Sequence, residues 1–349
     1  MKLRLTHVAA AASLLAGVGA GWTGPAAAQD TCPHTGQLDT MYCDANKDLV
    51  ADAPTDQKKW KDPSALVWAY TPVEDPAVYA NIFKPLTDHL AACTGKRIVY
   101  YPVQSNSAEI EAMRSGRLHF AGFSTGPTGF AVNLAGAVPF AAKGSAEGVR
   151  GYNLVAVVKA SSPYQKLADL KGKKVAHTSP SSNSGNLAPR VLFPEHGLTA
   201  ETDYKPLMSG GHDKSILGVV SGDYDMGAVA GDVYERMIVR GTIKKDDVRE
   251  IYRSAIFPTS SFAYAHDLKP ELAKKLTDCF FSFRFTAEMT KEFNGDDRFL
   301  PITYQKDWAV VRDVAEKSGT PYNKSAYDAE AKREADALAK KNAAPAKAP

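Results

Sequence analysis

The chain has 349 residues, 44% of them apolar, enough for two domains around a sizeable core. Its formal net charge is only +3, and Lys2 and Arg4 at the very start supply two of those positives. No basic field of the kind a nucleic acid needs is left, so nucleic acid is excluded as a partner.

The first 28 residues have a secretory layout: a short basic start, an apolar run from Val8 to Ala20, and an A-x-A pattern at Ala26 and Ala28. The run is too short for a comfortable membrane span. No cysteine follows directly, so no lipid anchor is expected, and no later apolar stretch approaches twenty residues. The expectation is an exported, soluble protein, with 1–28 as a signal peptide cleaved near Ala28.

Residues 29–64 read as a polar, turn-rich extension. Within "CDANKDLVADAP", Asp44, Asn46, Asp48 and Asp52 fall at positions 1, 3, 5 and 9 of an acidic loop. Hard oxygen ligands at alternate positions suit Ca²⁺. The segment resembles the calcium loops of thrombospondin type 3 repeats and, in part, an EF-hand loop. It departs from them at Leu49, where a glycine usually turns the chain, and it lacks a glutamate at position 12. The alternative is a solvated acidic loop, so a structural Ca²⁺ is the one metal expected and no cofactor is required. Four cysteines follow the leader, Cys32, Cys43, Cys93 and Cys279, which allow three pairings. An oxidising compartment favours disulfides over zinc or free thiols. The favoured pairs are Cys32–Cys43, a local loop, and Cys93–Cys279, a tie between distant helices.

From residue 65 the pattern becomes α/β. Strands are predicted at 65–70, 97–103, 118–123 and 152–160, with a helix at about 76–93 ended by Gly95. Asn106 and Glu109 stand in the capping-box relation at the start of a short helix. "STGPTGFAVNLAG" opens another helix, with Pro127 in its first turn. Beyond 160 come a small helix and strand in "LADLKGKKVAHTS", a helix in "GNLAPRVLFPEHG", and a helix–turn–strand in "HDKSILGVVSGDYDMGAVAG". Strands at "REIYRSAIF" and "SFAYAHDL" precede a helix at about 270–291. The Ala/Lys-rich stretch 323–349 could form a frayed helix, but its ends and composition read as a mobile tail.

Three strand-to-helix junctions share one composition: "QSNS" at 104–107, "STG" at 124–126 and "SNSG" at 182–185. In a parallel sheet such junctions lie at the C-terminal edge of the strands, where ligands bind. Helix N-termini add unpaired N–H groups and a positive dipole end. Each junction alone is explained by capping; three together point to a shared site for a small oxyanion.

"GYNLVAVVKASSPYQKLADLKGKKVAHTSPSSNSGNLAPRVLF" and "SGGHDKSILGVVSGDYDMGAV" carry a resemblance that covers about 65–310. Here the chain resembles the periplasmic binding proteins for phosphonate, phosphite and phosphate of ABC transporters. The resemblance implies a two-lobed α/β fold of the type II periplasmic binding class, with the ligand in the cleft between lobes. It places lobe one at 65–153 plus 256–320 and lobe two at 154–255, hinged near Gly151–Tyr152 and Ile256–Pro258. The family's serine-rich triplet falls on Ser182, Asn183 and Ser184, its histidine on His212, and its acidic residue on Asp232. Protonation of His212 would add charge, and Asp232 would accept from a protonated ligand oxygen. Where phosphonate binders carry tyrosines, this chain has Asn106 and Phe123, the latter followed by Ser124 and Thr125; where they offer a second carboxylate it has Ser260.

The implied ligand set is therefore Ser105, Asn106, Phe123, Ser124, Thr125, Ser182, Asn183, Ser184, His212 and Asp232. The implied ligand is a compact inorganic oxyanion (phosphate, phosphite or arsenate) ahead of an aminoalkylphosphonate. The expected protein is a non-catalytic monomer that serves an inner-membrane ABC permease. The alternative is an oxyanion sensor for a membrane histidine kinase. A secreted hydrolase built on a serine, His212 and Asp232 is the remote rival, since no serine lies in a G-x-S-x-G elbow. His177, His196 and His212 show no metal-ligand spacing.

Overall fold

The computed structural model describes residues 32–343. The signal-peptide expectation, and residues 344–349 of the tail, lie outside them. Among the described residues eleven strands form two sheets. The first holds β1 (Ala65–Tyr70), β2 (Arg97–Tyr100), β3 (Phe120–Phe123), β4 (Ala137–Gly144), β10 (Ser261–Ala265) and β11 (Arg298–Pro301), in the order β11-β4-β10-β3-β1-β2. The second holds β5 (Tyr152–Lys159), β6 (Val175–His177), β7 (Pro206–Met208), β8 (Met226–Ala230) and β9 (Val248–Phe257), in the order β7-β6-β8-β5-β9.

In each sheet three strands run parallel, β2-β1-β3 in one and β7-β6-β8 in the other. Helices follow their C-terminal ends, so the small polar junctions gather at the sheet edges, where such folds bind ligands. The chain passes between the sheets twice, from Gly144 to Tyr152 and from Phe257 to Ser261, and Tyr152 pairs with Phe257 where the passages meet. Sheet one buries an aromatic core: Trp68 stacks on Phe120 at 5.4 Å, and Phe262, Phe280 and Phe299 close round it. Both expected disulfides are present, Cys32–Cys43 and Cys93–Cys279, the second joining the helices Lys84–Thr94 and Pro270–Ser282.

Several elements differ from the sequence reading, each for a local reason. The helix expected at 76–93 is two, Pro76–Ile82 and Lys84–Thr94, because Pro85 sits at the start of the second and restricts Phe83–Lys84 before it. The helix expected at 270–291 also divides, since Thr286 caps a new helix, Ala287–Glu292. Strand β4 was not predicted; its Pro139 pairs with Ala263 beside a register shift, where proline is tolerated. The cap of the helix Asn106–Arg114 is Ser105, which accepts from Ala108 N–H at 3.1 Å, and Glu109 is buried and does not close a box with Asn106.

The expected mobile tail is corrected most. Residues Lys324–Ala343 form a helix. Asn323 caps it, Tyr327 donates to the Ser107 carbonyl at 3.0 Å, and Tyr322 packs edge-on against Phe130 at 4.9 Å. Composition suggested a solvated segment; two tyrosines anchor its first turns to the body of the protein.

Candidate functional site

The sequence "SSNSGNLAPR" folds as a π-helical turn, Asn183–Leu187, running into the helix Ala188–Leu192. Such turns often mark functional sites. Ser182 caps the turn, accepting from Gly185 N–H at 3.1 Å. The cap leaves Asn183 and Ser184 facing a cavity of about 30 Å³ between the two sheets. A single water needs about 10–15 Å³ on this kind of measure, so the space is small.

From lobe two, Ser182, Asn183, Ser184, His212 and Asp232 line it; from lobe one come Ser124 and Thr125. Ser124 stands at the N-cap position of the helix Thr125–Ala135, but its hydroxyl makes no cap bond and lies instead 3.2 Å from Thr71 Oγ1, whose proton goes to Asn106. Thr125 donates its hydroxyl to the Pro258 carbonyl, in the second passage between the lobes, at 2.8 Å. Asn183 donates to Tyr152 Oη at 3.2 Å, and its own carbonyl oxygen, Oδ1, is buried without a partner.

His212 opens the helix His212–Ser221. Its Nδ1 accepts from the Ala230 N–H at 3.0 Å, which leaves the ring proton on Nε2, 3.5 Å from Ser182 Oγ. Burial pulls its pKa down from 6.5 to about 4. At neutral pH the ring is therefore a neutral donor, without the charge that protonation would add.

Three other expected residues do not line the main cavity. Phe123 is fully buried, on the same covered face of β3 as Ala121. Ser105 is spent as a helix cap and faces a larger neighbouring cavity of about 400 Å³. Asn106 lines a small adjoining space of about 20 Å³ with Ser124, Ser182 and His212; it accepts from Thr71 and donates to Ser179 and Ser181. It acts as a polar tie across the lobes. Tyr70, Tyr152 and Thr259 line the main cavity and were missed, although Tyr152 and Thr259 lie in or beside the two passages where any cleft must run.

The acidic loop is ordered by its own backbone. Asp44 accepts from the Asp48 and Leu49 amides, Asn46 from Asp48, Asp48 from Val50, and Asp52 from Ala45. Among the described residues no three His, Cys, Asp or Glu side chains gather as a metal site.

Comparison with known proteins places this geometry. The family of ABC-transporter phosphonate periplasmic substrate-binding proteins matches residues 68–308. The chain belongs to this family. A curated relative, a phosphate-import protein PhnD of Mycolicibacterium smegmatis, is 28% identical over 264 residues, covering 71% of this chain and 81% of that one. PhnD1 of Prochlorococcus marinus, solved with methylphosphonate, superposes with a TM-score of 0.66 at 19% identity, over 74% of this chain and 99% of that one. A binding protein of an ABC phosphonate transporter from Pseudomonas aeruginosa gives 0.66 at 21% identity, over 80% of this chain and 97% of that one. These two solved structures share its two-lobed type II periplasmic binding fold.

Members of this family of periplasmic substrate-binding proteins bind cargo for transport and are not enzymes. In this member the lobes are also joined by charge. Glu74, just after β1, accepts from Arg236 at 2.8 Å and Arg240 at 2.6 Å, both on or at the end of the lobe-two helix Gly231–Val239. Tyr79 donates to the same carboxylate at 2.8 Å, and Arg240 also pairs with Glu292 at 2.6 Å. Burial pushes the Glu74 carboxyl up, but Arg236 and Arg240 outweigh it and hold it below its ordinary 4.5. Arg236 reaches on to Asp232 at 2.9 Å, and both side chains line the cavity, so the network forms part of its wall.

Proposed function

We propose that the protein captures a compact tetrahedral oxyanion of the phosphate, phosphite or arsenate kind and delivers it to an inner-membrane ABC permease. It would do so after export and removal of residues 1–28. The small inter-lobe cavity carries this reading, with its hydroxyls, amide and neutral imidazole, the guanidinium of Arg236, already paired with Glu74 and Asp232, and no second carboxylate to hold an amine. Neutral donors fixed in place bind an anion without reorganising, and the N-termini at Thr125 and His212 add dipole ends. Asp232 fits a ligand that keeps one protonated oxygen to donate to it, and disfavours fully deprotonated ones. The phosphate-import function of the mycobacterial relative agrees with this choice. A phosphonate with a small substituent is the next fit, given the methylphosphonate in the Prochlorococcus protein.

Isothermal titration against phosphate, phosphite, arsenate, methylphosphonate, arsenite and 2-aminoethylphosphonate tests the reading. Micromolar binding of an inorganic oxyanion, weakened by Ser184→Ala, is expected; binding of the aminophosphonate alone overturns it. No cofactor is part of the reading. Calcium in the 44–52 loop is a separate proposal, supported by the acidic spacing and by the left-handed backbone of Lys47 and Leu49. Calcium titration of wild type and Asp48→Ala tests it, with loss of binding in the variant expected.

A further inference from the structure

Lys143 has no role in the site so far described. It lies on β4, only 4% exposed, and among the described residues no carboxylate pairs with it within 4.0 Å. Asp296, whose carboxyl feels its charge, is turned instead toward Arg150 at 3.8 Å. Aromatic rings wall it in: Phe293 at 5.0 Å, Tyr70 at 5.3 Å and Phe262 at 5.9 Å. Its one side-chain hydrogen bond goes to Tyr70 Oη at 3.0 Å. Ring faces offset part of the cost of burying an ammonium, but an unpaired buried cation remains expensive.

The direction of the hydrogen bonds shows where that charge is felt. An ammonium only donates, so Tyr70 Oη is an acceptor toward Lys143 and must send its own proton elsewhere. It donates to Ser260 Oγ at 3.1 Å. Ser260, having accepted, keeps its own proton free to turn inward, and Tyr70 and Ser260 both line the cavity. Each bond polarises the next. On another wall of the same cavity Arg236 is already matched by Glu74 and Asp232, and the Asp232 carboxylate can only accept.

We propose that Lys143 is the buried counter-charge of the anion cavity, a positioning residue that acts through Tyr70 and Ser260 to aim a hydroxyl proton at a bare oxygen of the ligand. This rests on the oxyanion reading and deepens it. The two walls address two different oxygens, one deprotonated toward Ser260 and one protonated toward Asp232. The ligand class is thereby narrowed to singly protonated tetrahedral oxyanions.

Titrating wild type, Lys143→Met, Tyr70→Phe, the double variant and Ser184→Ala with phosphate and with methylphosphonate tests the proposal. Lys143→Met keeps the stem and removes the charge; Tyr70→Phe breaks the relay in the middle and gives an independent reading. Each is expected to weaken binding about tenfold or more, as loss of a charge-assisted hydrogen bond does. The double variant is expected to bind no more weakly than the poorer single one, because both act on one chain of bonds. The melting temperature of unliganded Lys143→Met should hold or rise. Wild-type affinity in Lys143→Met, losses that multiply in the double variant, or a fall in melting temperature that tracks the fall in affinity each overturn the proposal. If wild type binds neither anion, the oxyanion reading falls with it; if wild type binds, Ser184→Ala weakens it and Lys143→Met does not, only the role of Lys143 falls.

Discussion

At the floor of the cleft Asn183, Ser184 and His212 face the ligand space without a formal charge, whereas at the rim Glu74, Arg236, Arg240 and Glu292 hold the lobes together entirely with charges. The floor must release what it binds, and oriented neutral dipoles grip an anion without a full ion pair to break. The rim must report closure, and a buried carboxylate shared by two guanidinium groups exists only when the lobes meet. Asp232 and Arg236 belong to both regions, since both line the cavity and Asp232 accepts from Arg236. On the proposed reading, ligand capture and closure are coupled through this ion pair.

The sharpest way to break this comparison is at the rim. Glu74→Gln leaves two guanidinium groups without their shared carboxylate, and such a loss costs about 3–5 kcal/mol. Ligand affinity is expected to fall by two orders of magnitude or more, with each floor contact intact; titration calorimetry checks it, and a wild-type constant would mean that the network is incidental to closure. Next comes Gly126, where a Cβ would lie 2.1 Å from the Ser181 carbonyl oxygen of the other lobe. Overpacking of this kind costs about 1–3 kcal/mol, so Gly126→Ala should weaken binding roughly ten- to a hundredfold. The melting temperature of its unliganded form should change little, because an open cleft relieves the clash; small-angle scattering with saturating phosphate should show a larger radius of gyration than wild type.

The two regions also separate by pH. The floor histidine is pulled from 6.5 to about 4 by burial, so the unfolded chain takes up its proton first as pH falls. Stability from this group is complete above 6.5 and declines as pH drops toward 4. The Glu74 carboxyl, held below 4.5, contributes fully above that value and is lost only at lower pH. Melting temperature against pH should therefore fall in two stages, and His212→Gln should flatten the upper stage while leaving the lower one. His177, also near 4 and buried, keeps part of the upper stage in that variant. The smallest effect is expected at Ser105, which caps a helix and does not touch the main cavity: Ser105→Ala should cost about 1 kcal/mol of stability and leave oxyanion affinity unchanged. A tenfold loss of binding there would return Ser105 to the site.

By itself the sequence determined the alternation of strands and helices, the two disulfides, and the small polar junctions at 124–126 and 182–185 that meet in the cleft. Apart from the Cys93–Cys279 tie, which the cysteine count and an oxidising compartment suggested, these are local properties: periodicity, capping chemistry and composition act within a few residues. Tertiary structure decided the rest. Which face of β3 turns inward removed Phe123, and the cap geometry removed Ser105. Glu74 and Arg236 are 162 residues apart and meet only because two sheets close on each other. Lys143 was invisible for the same reason. A lysine in a strand reads as an ordinary surface charge until packing shows it sealed behind Tyr70, and only that burial turns a common residue into a charge that must be answered.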